Sequence, residues 1–227
     1  MNWNIPPLFP VKGVIFDMDG LMLDTERMIQ YSWEVTGGEL GYSNFGSNIL
    51  HTLGMSRAQR NQYFLEKYGE DFPLQQFTDR YHEVYHTCER EHGIPQKKGL
   101  KELLELLKQR QIPMAVATST HGEHTIPELK RQGIFSYFQE IVTGDMVKEG
   151  KPNPRIYQLT CEKLQLWPEE VLALEDSYNG IRSASQAGTK VIMIPDILTD
   201  DTPVSSYLYG KMESLTQVAQ WISGQEK

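Results

Sequence analysis

The sequence predicts an α/β protein with a doubly wound parallel sheet, into which an all-helical domain is inserted. Three observations lead to this prediction: short apolar runs without polar alternation, amphipathic stretches between them, and one long segment without a strand-like run. Apolar runs of this kind are typical of strands that are buried on both faces of a parallel sheet. Helices that alternate with such strands form βαβ units, which wind over both faces of one sheet.

Each apolar run ends in polar residues. The predicted strands cover residues 11–16, 113–117, 140–143, 171–174 and 191–195. The polar residues that follow them are Asp17, Asp19, Thr118, Asp145, Glu175, Asp176 and Asp196. Ligands bind beyond the carboxyl ends of the strands in doubly wound sheets, so these residues are the candidates for a functional site.

Helical signals separate the predicted strands. Five leucines give the stretch 100–110 one apolar face. The stretch 127–132 precedes Gly133, a residue type favoured just after a helix. The stretch 154–164 starts with proline, which suits the first helical position, and a further helix is predicted over 179–187.

The segment 25–97 interrupts the alternation of strands and helices, because it contains only helical patterns, as over 58–68 and 78–92. We therefore predict an α/β core domain made of residues 1–24 and 98–227, with residues 25–97 forming a helical cap domain. The cap contains many aromatic residues, and these are predicted to form its own core: Tyr31, Trp33, Tyr63, Phe64, Tyr81 and Tyr85.

The composition of the 227-residue chain excludes several classes of protein. Lys and Arg total 22 and Asp and Glu total 30, so the net charge of −8 argues against a nucleic-acid or anionic-membrane partner. No apolar run approaches the roughly 20 residues of a membrane span. Residues 1–10 lack a signal-peptide pattern and are predicted to form a short arm. Cys88 and Cys161 have no CxxC spacing and are predicted to be reduced thiols, as expected in the cytoplasm.

Two acidic pairs follow predicted strands. Asp17 and Asp19 stand two positions apart after the first strand, so both side chains could point into one cleft, although an Asx-type turn is an alternative. Glu175 and Asp176 end another strand, where a helix N-cap is the alternative. Two such charges about 5 Å apart repel by roughly 3 kcal/mol at an effective dielectric of about 20. A divalent ion that prefers oxygen ligands, Mg²⁺ first, would offset this repulsion.

Three further residues could hold a phosphate. Thr118 and Ser119 end a strand before a helix, where hydroxyls and free N–H groups suit an anion, although helix capping is the alternative. Lys151 lies in a loop stiffened by two prolines, and alone it would be read as a solvated lysine.

Taken together, four motifs resemble the haloacid dehalogenase superfamily of phosphatases and phosphomutases, which has a Rossmann-like core. They stand in the family's order with compatible spacing: FDMDG (16–20), VATS (116–119), GKPNP (150–154) and LEDSYNG (174–180). The text LMLDTE after DMDG and the helical cap resemble the β-phosphoglucomutase-like subgroup. The stretch FDMDGLMLDTER also resembles pseudouridine monophosphate phosphatases, but it is shared widely in that subgroup.

The resemblance implies a catalytic role for each motif residue. Asp17 would be the nucleophile that forms an aspartyl-phosphate, and Asp19 the general acid and base. Thr118 and the Ser119 N–H would hold the phosphoryl oxygens. Lys151 would pair with the phosphoryl group and with Asp17.

The resemblance also implies a metal site. Asp17 and Asp176 would bind Mg²⁺ through carboxylate oxygens and Asp19 through its backbone carbonyl, with Glu175 in support, mostly through water. This residue set points to phosphoryl transfer and disfavours a haloacid dehalogenase proper, which needs no metal.

The implied function is a Mg²⁺-dependent phosphomonoester hydrolase that acts on a small phosphorylated metabolite, such as a sugar phosphate or a nucleotide. In the cap, Arg57 resembles an arginine that binds a distal phosphate, with a surface arginine as the alternative. The alternative function is a β-phosphoglucomutase-like isomerase, but the mutases' hinge histidine is absent and Ile29 stands near its position. A catalytically idle binding module is disfavoured because all expected motif residues are present. A monomer is expected.

Overall fold

A computed structural model of the chain describes residues 9–224, and within them six strands form one parallel sheet. The sheet order is β3-β2-β1-β4-β5-β6, and every neighbouring pair is parallel. The strands are β1 (Gly13–Phe16), β2 (Met114–Ala117), β3 (Glu140–Val142), β4 (Val171–Glu175), β5 (Lys190–Met193) and β6 (Gly210–Lys211). The predicted doubly wound parallel sheet is therefore confirmed.

The central strands are buried on both faces, which explains why their sequences do not alternate. Every residue of β1, β2 and β4 is buried. Side chains of β1 alternate between two apolar clusters, since Val14 and Phe16 pack into one and Ile15 into the other. These clusters lie on opposite faces of the sheet because successive residues of a strand point to opposite sides.

Helices cover both faces of the sheet and also fill the segment between β1 and β2. They are α1 (Glu26–Glu39), α2 (Ile49–Thr52), α3 (Arg57–Tyr68), α4 (Leu74–His92), α5 (Leu100–Gln109), α6 (Gly122–Arg131), α7 (Arg155–Leu164), α8 (Tyr178–Gln186) and α9 (Leu215–Ser223). Leucines of α5 pack with α9 against one apolar cluster, while α7 and α8 pack into the other.

The helix before Gly133 is longer than its predicted stretch, 127–132. It begins at Gly122, and Pro127 lies inside it. The prediction for its end was right: Gly133 adopts a φ of 70°, and the Ile134 N–H donates back to the Leu129 carbonyl. This bond is the Schellman arrangement, in which the residue after the glycine satisfies a terminal carbonyl of the helix.

Residues 26–92, called here the helical segment, contain α1 to α4 and have an apolar core of their own. Trp33 and Phe64 are central to this core, with ring centroids 5.2 Å apart, and Tyr81 joins them. Two predicted members behave differently. Tyr31 is 56% exposed, and Tyr85 packs against the apolar cluster on one face of the sheet that contains Val14 and Phe16.

Two linkers join the helical segment to the sheet, and they run side by side. The Asp24 N–H donates to the Pro95 carbonyl at 2.9 Å, and the Lys97 N–H donates to the Met22 carbonyl at 2.9 Å. Asp196, just beyond β5, accepts from Lys97 Nζ at 2.6 Å and from Arg27 Nη1 at 2.5 Å. One buried carboxylate therefore anchors the second linker, through Lys97, and the first turn of α1, through Arg27.

The described residues also bear on the predicted N-terminal arm, on membrane spans and on the two cysteines. The predicted arm at 1–10 lies outside the described residues except for its last two positions. None of the helices in residues 9–224 has the length and apolarity needed to cross a bilayer. Cys88 and Cys161 are both free thiols.

Candidate active site

The carboxyl ends of β1, β2 and β4 bring the predicted acidic and hydroxyl residues together. The middle strand β1 pairs with β2 on one side and with β4 on the other, so these three strands end side by side. Asp17 directly follows β1, Thr118 follows β2, and Glu175 and Asp176 lie at the end of β4. All four side chains are buried.

Lys151 joins this cluster from the loop before α7, and it is 1% exposed. Its Nζ lies 2.5 Å from Asp17 Oδ1 and 2.6 Å from Glu175 Oε1, and it donates to the Ala117 carbonyl at 3.0 Å. Burial acts to lower the pKa of Lys151, but the charges of Asp17 and Glu175 outweigh it and raise the pKa. The ammonium group is therefore held charged between two carboxylates, unlike the solvated lysine that its sequence context alone suggests.

Glu175 anchors Lys151 and is itself fully satisfied. Its Oε1 also accepts from the Tyr157 hydroxyl at 2.7 Å, and its Oε2 accepts from the Ser177 N–H and hydroxyl at 3.3 and 3.2 Å. Gly180 leaves room for this carboxylate, since a Cβ there would lie 1.8 Å from Oε1. The Tyr157 contact was missed because no sequence pattern links it to the motif.

The acidic cluster has the properties of a site for a divalent cation. Asp17, Glu175 and Asp176 each offer a carboxylate oxygen, and the three oxygens lie within 4.8 Å of one another. Asp176 Oδ1 is buried and has no hydrogen-bond partner among residues 9–224. Burial raises the pKa of Asp17 to about 8, and burial together with Asp17 and Glu175 raises the pKa of Asp176. An all-oxygen donor set with uncompensated charge fits a hard ion such as Mg²⁺.

Asp19 lies beside this cluster, but its carboxylate has other partners. Its Oδ1 accepts from the Thr25 hydroxyl at 2.9 Å, and its Oδ2 accepts from the Thr120 hydroxyl at 2.7 Å. Each carboxylate oxygen is thus held by one hydroxyl, which fixes the direction in which the acid faces. Thr25 stands in the LDTE text and Thr120 directly follows Ser119, but no sequence pattern pairs either residue with Asp19.

The helical segment contacts the site through the turn after α2. The Ser119 hydroxyl donates to the Gly54 carbonyl at 3.1 Å, and Asn179 Nδ2 donates to the Leu53 carbonyl at 3.1 Å. Gly54 has a φ of 71°, and a Cβ there would lie 2.4 Å from Ser177 Oγ, so glycine permits this close approach. The Ser119 N–H has no partner among the described residues, which leaves it available to an anion.

A cavity of about 210 Å³ lies between the helical segment and the sheet edge. The core contributes Asp17, Asp19, Thr118 and Ser119 to its wall, and the helical segment contributes Glu26, Ile29, Trp33, Arg57, Arg60 and Tyr81. The structure thus brings Arg57 to the same cavity as the motif residues, although its side chain is exposed.

Comparisons with known proteins agree with this geometry. The model of the haloacid dehalogenase-like hydrolase family matches residues 14–194. The chain is 32% identical over 182 residues to a phosphorylated carbohydrates phosphatase of Thermotoga maritima, covering 80% of this chain and 84% of that protein. It is 29% identical over 220 residues to a phosphoglycolate phosphatase of Thiobacillus denitrificans, covering 94% and 96%. The crystal structure of CbbY from Rhodobacter sphaeroides in complex with phosphate is similar, with a TM-score of 0.76, 27% identity and coverage of 92% and 96%.

Proposed function

The chain belongs to the haloacid dehalogenase-like hydrolase family, and we propose that it is a Mg²⁺-dependent phosphatase that uses Asp17 as its nucleophile. It is a phosphoric monoester hydrolase that acts on small phosphorylated metabolites, as its named relatives do. Residues 1–24 and 98–227 form the catalytic core domain in this proposal, and residues 25–97 form the cap domain.

One observation carries the proposal: Lys151 and three carboxylates from separate parts of the chain meet at the end of β1. Lys151 Nζ contacts both Asp17 and Glu175, and Asp176 completes the acidic group. Burying this much charge is costly unless the charges are paired. A bound cation would pair with the carboxylates, and a bound phosphoryl group would pair with Lys151.

The first chemical step transfers the phosphoryl group to the enzyme. A carboxylate oxygen of Asp17 forms a bond to phosphorus as the bond between phosphorus and the ester oxygen breaks. Asp19 donates its proton to that leaving oxygen, so the alcohol departs neutral. Thr118, the Ser119 N–H and Lys151 bind the phosphoryl oxygens and stabilise the charge that is spread over them.

The second step releases phosphate. Asp19, now ionised, takes a proton from a water molecule as that water attacks the phosphorus of aspartyl-phosphate. The bond between phosphorus and the Asp17 oxygen breaks, which returns Asp17 as a carboxylate and frees inorganic phosphate. The two hydroxyls on Asp19 hold it in one orientation for both proton transfers.

Asp17, Asp176 and the backbone carbonyl of Asp19 would hold the Mg²⁺ ion. When bound, the ion supplies positive charge next to the reacting phosphoryl group. Both oxygens of Glu175 already accept hydrogen bonds, which favours a supporting role for Glu175 through Lys151 over direct coordination.

A phosphatase is favoured over a sugar phosphomutase. Ile29 lines the cavity near the position where the mutases of the subgroup carry a histidine, and an aliphatic side chain transfers no proton. An idle binding module is disfavoured because Asp17, Asp19, Thr118 and Lys151 all reach one site. From composition we still expect a cytoplasmic protein that binds no nucleic acid or membrane, and from the size of a capped enzyme of this kind we expect a monomer.

The test is an assay of the purified protein with Mg²⁺ against a panel of sugar, polyol, nucleotide and carboxylic-acid monophosphates. We expect release of inorganic phosphate from at least one of them. Absence of release from every substrate, para-nitrophenyl phosphate included, would overturn the proposal. Conversion of glucose 1-phosphate into glucose 6-phosphate without release would establish the mutase instead.

A further inference from the structure

We propose that Gln59, in the first turn of α3, is a positioning residue for Lys151 and thereby for phosphoryl transfer. Its side chain holds the main chain of the loop from which Lys151 reaches Asp17, and it acts on the reaction only through that lysine. This inference rests on the proposed phosphatase function and adds to it a residue from outside the four sequence motifs.

A short stretch of the helical segment contacts three of the four sequence motifs. In two of these contacts, Ser119 and Asn179 of the core donate to main-chain carbonyls in the turn after α2. The third contact reaches the GKPNP motif, where Gln59 Nε2 donates to the Lys151 carbonyl at 3.1 Å. Of these three bonds, the last is the one that a side chain of the helical segment makes, so a single substitution in that segment can remove it.

The side-chain amide of Gln59 is held at both ends. Its Oε1 accepts from the Ser56 N–H at 2.8 Å, and Ser56 Oγ accepts from the Gln59 N–H at 3.4 Å, which is the capping box that begins α3. The two ends of the amide cannot be exchanged, because a backbone N–H only donates and a carbonyl oxygen only accepts. The cap of α3 therefore directs the Nε2 donor at the Lys151 carbonyl.

The first turn of α3 also packs closely against the loop before α7. A Cβ on Gly150 would lie 3.1 Å from Ser56 Cβ and 3.5 Å from Gln59 Oε1. The same turn borders the reaction cavity through Arg57. A displacement of this turn would therefore move the main chain of Lys151, because Gln59 joins the two.

The main chain of Lys151 depends on this contact. Among residues 9–224, no second hydrogen bond reaches the N–H or the carbonyl of Lys151. The far end of its side chain is held by Asp17 and Glu175, and the stem between the two ends is a flexible four-carbon chain. Lys151 must also bind the phosphoryl group, whose developing charge it stabilises in the transition state. Loss of the Gln59 contact would misplace the ammonium group and lower kcat more than it weakens substrate binding.

The experiment measures kcat, KM and melting temperature in Gln59→Glu, using para-nitrophenyl phosphate or the best substrate of the panel above. Glutamate keeps the acceptor oxygen and is a preferred third residue of a capping box, but it lacks the donor that holds Lys151. We expect kcat to fall about 3- to 10-fold, the effect of losing one neutral hydrogen bond, while KM and the melting temperature stay close to wild type. Gln62→Glu, the same change at an exposed position of α3, should leave kcat unchanged.

Ser56→Ala is the reverse test. It removes the hydroxyl that accepts from the Gln59 N–H and leaves the side chain of Gln59 in place. Loss of a serine N-cap destabilises a helix, so the melting temperature should fall while kcat stays at its wild-type value. The two variants thus separate the stability of α3 from the placement of Lys151.

Hydrogen exchange gives a readout that needs no substrate. The Asn153 N–H donates to the Gly150 carbonyl at 3.0 Å and closes the turn that contains Lys151. If Gln59 orders this turn, the Asn153 amide should exchange faster in Gln59→Glu than in wild type, and at the wild-type rate in Gln62→Glu.

Three outcomes would overturn the inference while leaving the phosphatase intact. They are a wild-type kcat in Gln59→Glu, an equal loss of kcat in Ser56→Ala and Gln59→Glu, and unchanged exchange of the Asn153 amide in Gln59→Glu. A wild type that releases phosphate from no substrate would instead refute the proposed function, and this inference with it.

Discussion

The ammonium group of Lys151 lies 2.5 Å from the Asp17 carboxylate, and both side chains are buried. Lys151 also contacts Glu175 at 2.6 Å, so one cation lies between Asp17, the proposed nucleophile, and a second acid. The positive charge of Lys151 offsets the cost of burying the two carboxylates, and their negative charges offset the cost of burying Lys151. The stability of the fold and the reactivity of the site therefore depend on the same contacts.

Replacing Lys151 by methionine should destabilise the protein as well as inactivate it. Two buried carboxylates lose their cation, and breaking a buried pair in this way costs about 3–5 kcal/mol of unfolding free energy. Urea unfolding followed by circular dichroism, at a pH above about 8 where Asp17 is ionised as well as Glu175, measures the loss. Lys148→Met, at an exposed position nearby, is the matched control. Equal stability of Lys151→Met and wild type would contradict this account of the pair.

A second change should partly restore the stability of that variant. In Lys151→Met with Glu175→Gln, one of the two stranded charges is gone, so unfolding free energy should recover by part of the loss. Activity should stay absent, because the phosphoryl group still lacks its lysine. A double-mutant cycle that adds Glu175→Gln alone and the wild type gives the coupling energy between the two side chains, and strict additivity would show that their contact contributes nothing to stability.

Replacing Asp17 by asparagine should abolish turnover with little change in fold. An amide cannot form the acyl-phosphate, so we expect phosphate release to fall at least about a thousandfold. The amide keeps the shape of the carboxyl group and removes a charge that burial disfavours. Circular dichroism and phosphate release are the two measurements. Wild-type activity in this variant would exclude Asp17 as the nucleophile.

Without metal, the protein should lose stability as pH rises. Burial raises the pKa of Asp17 from 3.8 to about 8, so between these values the folded chain binds a proton that the unfolded chain does not. Stability contributed by that proton is complete at the acid end and disappears as pH rises through about 8. The melting temperature in EDTA should therefore fall from pH 5 to pH 8 by several degrees.

Mg²⁺ should reverse this trend because it binds the ionised carboxylates. We expect the rise in melting temperature on adding Mg²⁺ to be larger at pH 8 than at pH 5, and activity to vanish in excess EDTA and return with Mg²⁺. The Asp17→Asn variant in EDTA should show a weaker dependence on pH. Full activity in excess EDTA would refute the metal requirement.

Removal of the Thr120 hydroxyl should lower kcat more than it changes KM. Thr120→Val leaves Asp19 held only by Thr25, so the acid is less well oriented for proton transfer. A drop of about tenfold in kcat is the scale expected from weakened acid–base catalysis. Thr120→Ser keeps the hydroxyl and should retain wild-type kcat. If serine and valine variants were equally impaired, the hydroxyl would not be the cause.

The sequence was sufficient for the sheet and for the catalytic motifs because both are local signals. Apolar runs located β1, β2 and β4, and the polar residues at their ends proved to be neighbours, as the parallel order requires. The short strand β6 and the helix α9 were not predicted. Two residues of strand leave no pattern to detect.

Contacts between distant residues escaped prediction because they depend on how helices pack. The Tyr157 hydroxyl meets Glu175, and the Thr120 hydroxyl meets Asp19, only once the strands and helices are in place. The exposure of Tyr31 likewise follows from which face of α1 turns inward. In a helix without a clear apolar stripe, the sequence does not show whether an aromatic or acidic residue faces the core or the solvent.

The position of β1 in the middle of the sheet governs when the site can exist during synthesis. The ribosome delivers β1 and Asp17 early, but both neighbouring strands are translated only after the entire helical segment. Until β2 and β4 emerge, the nascent chain carries a short apolar strand with unpaired edges, which is a hazard for aggregation. If the proposed site is correct, the chain becomes active only after β4 has brought Glu175 and Asp176 beside Asp17.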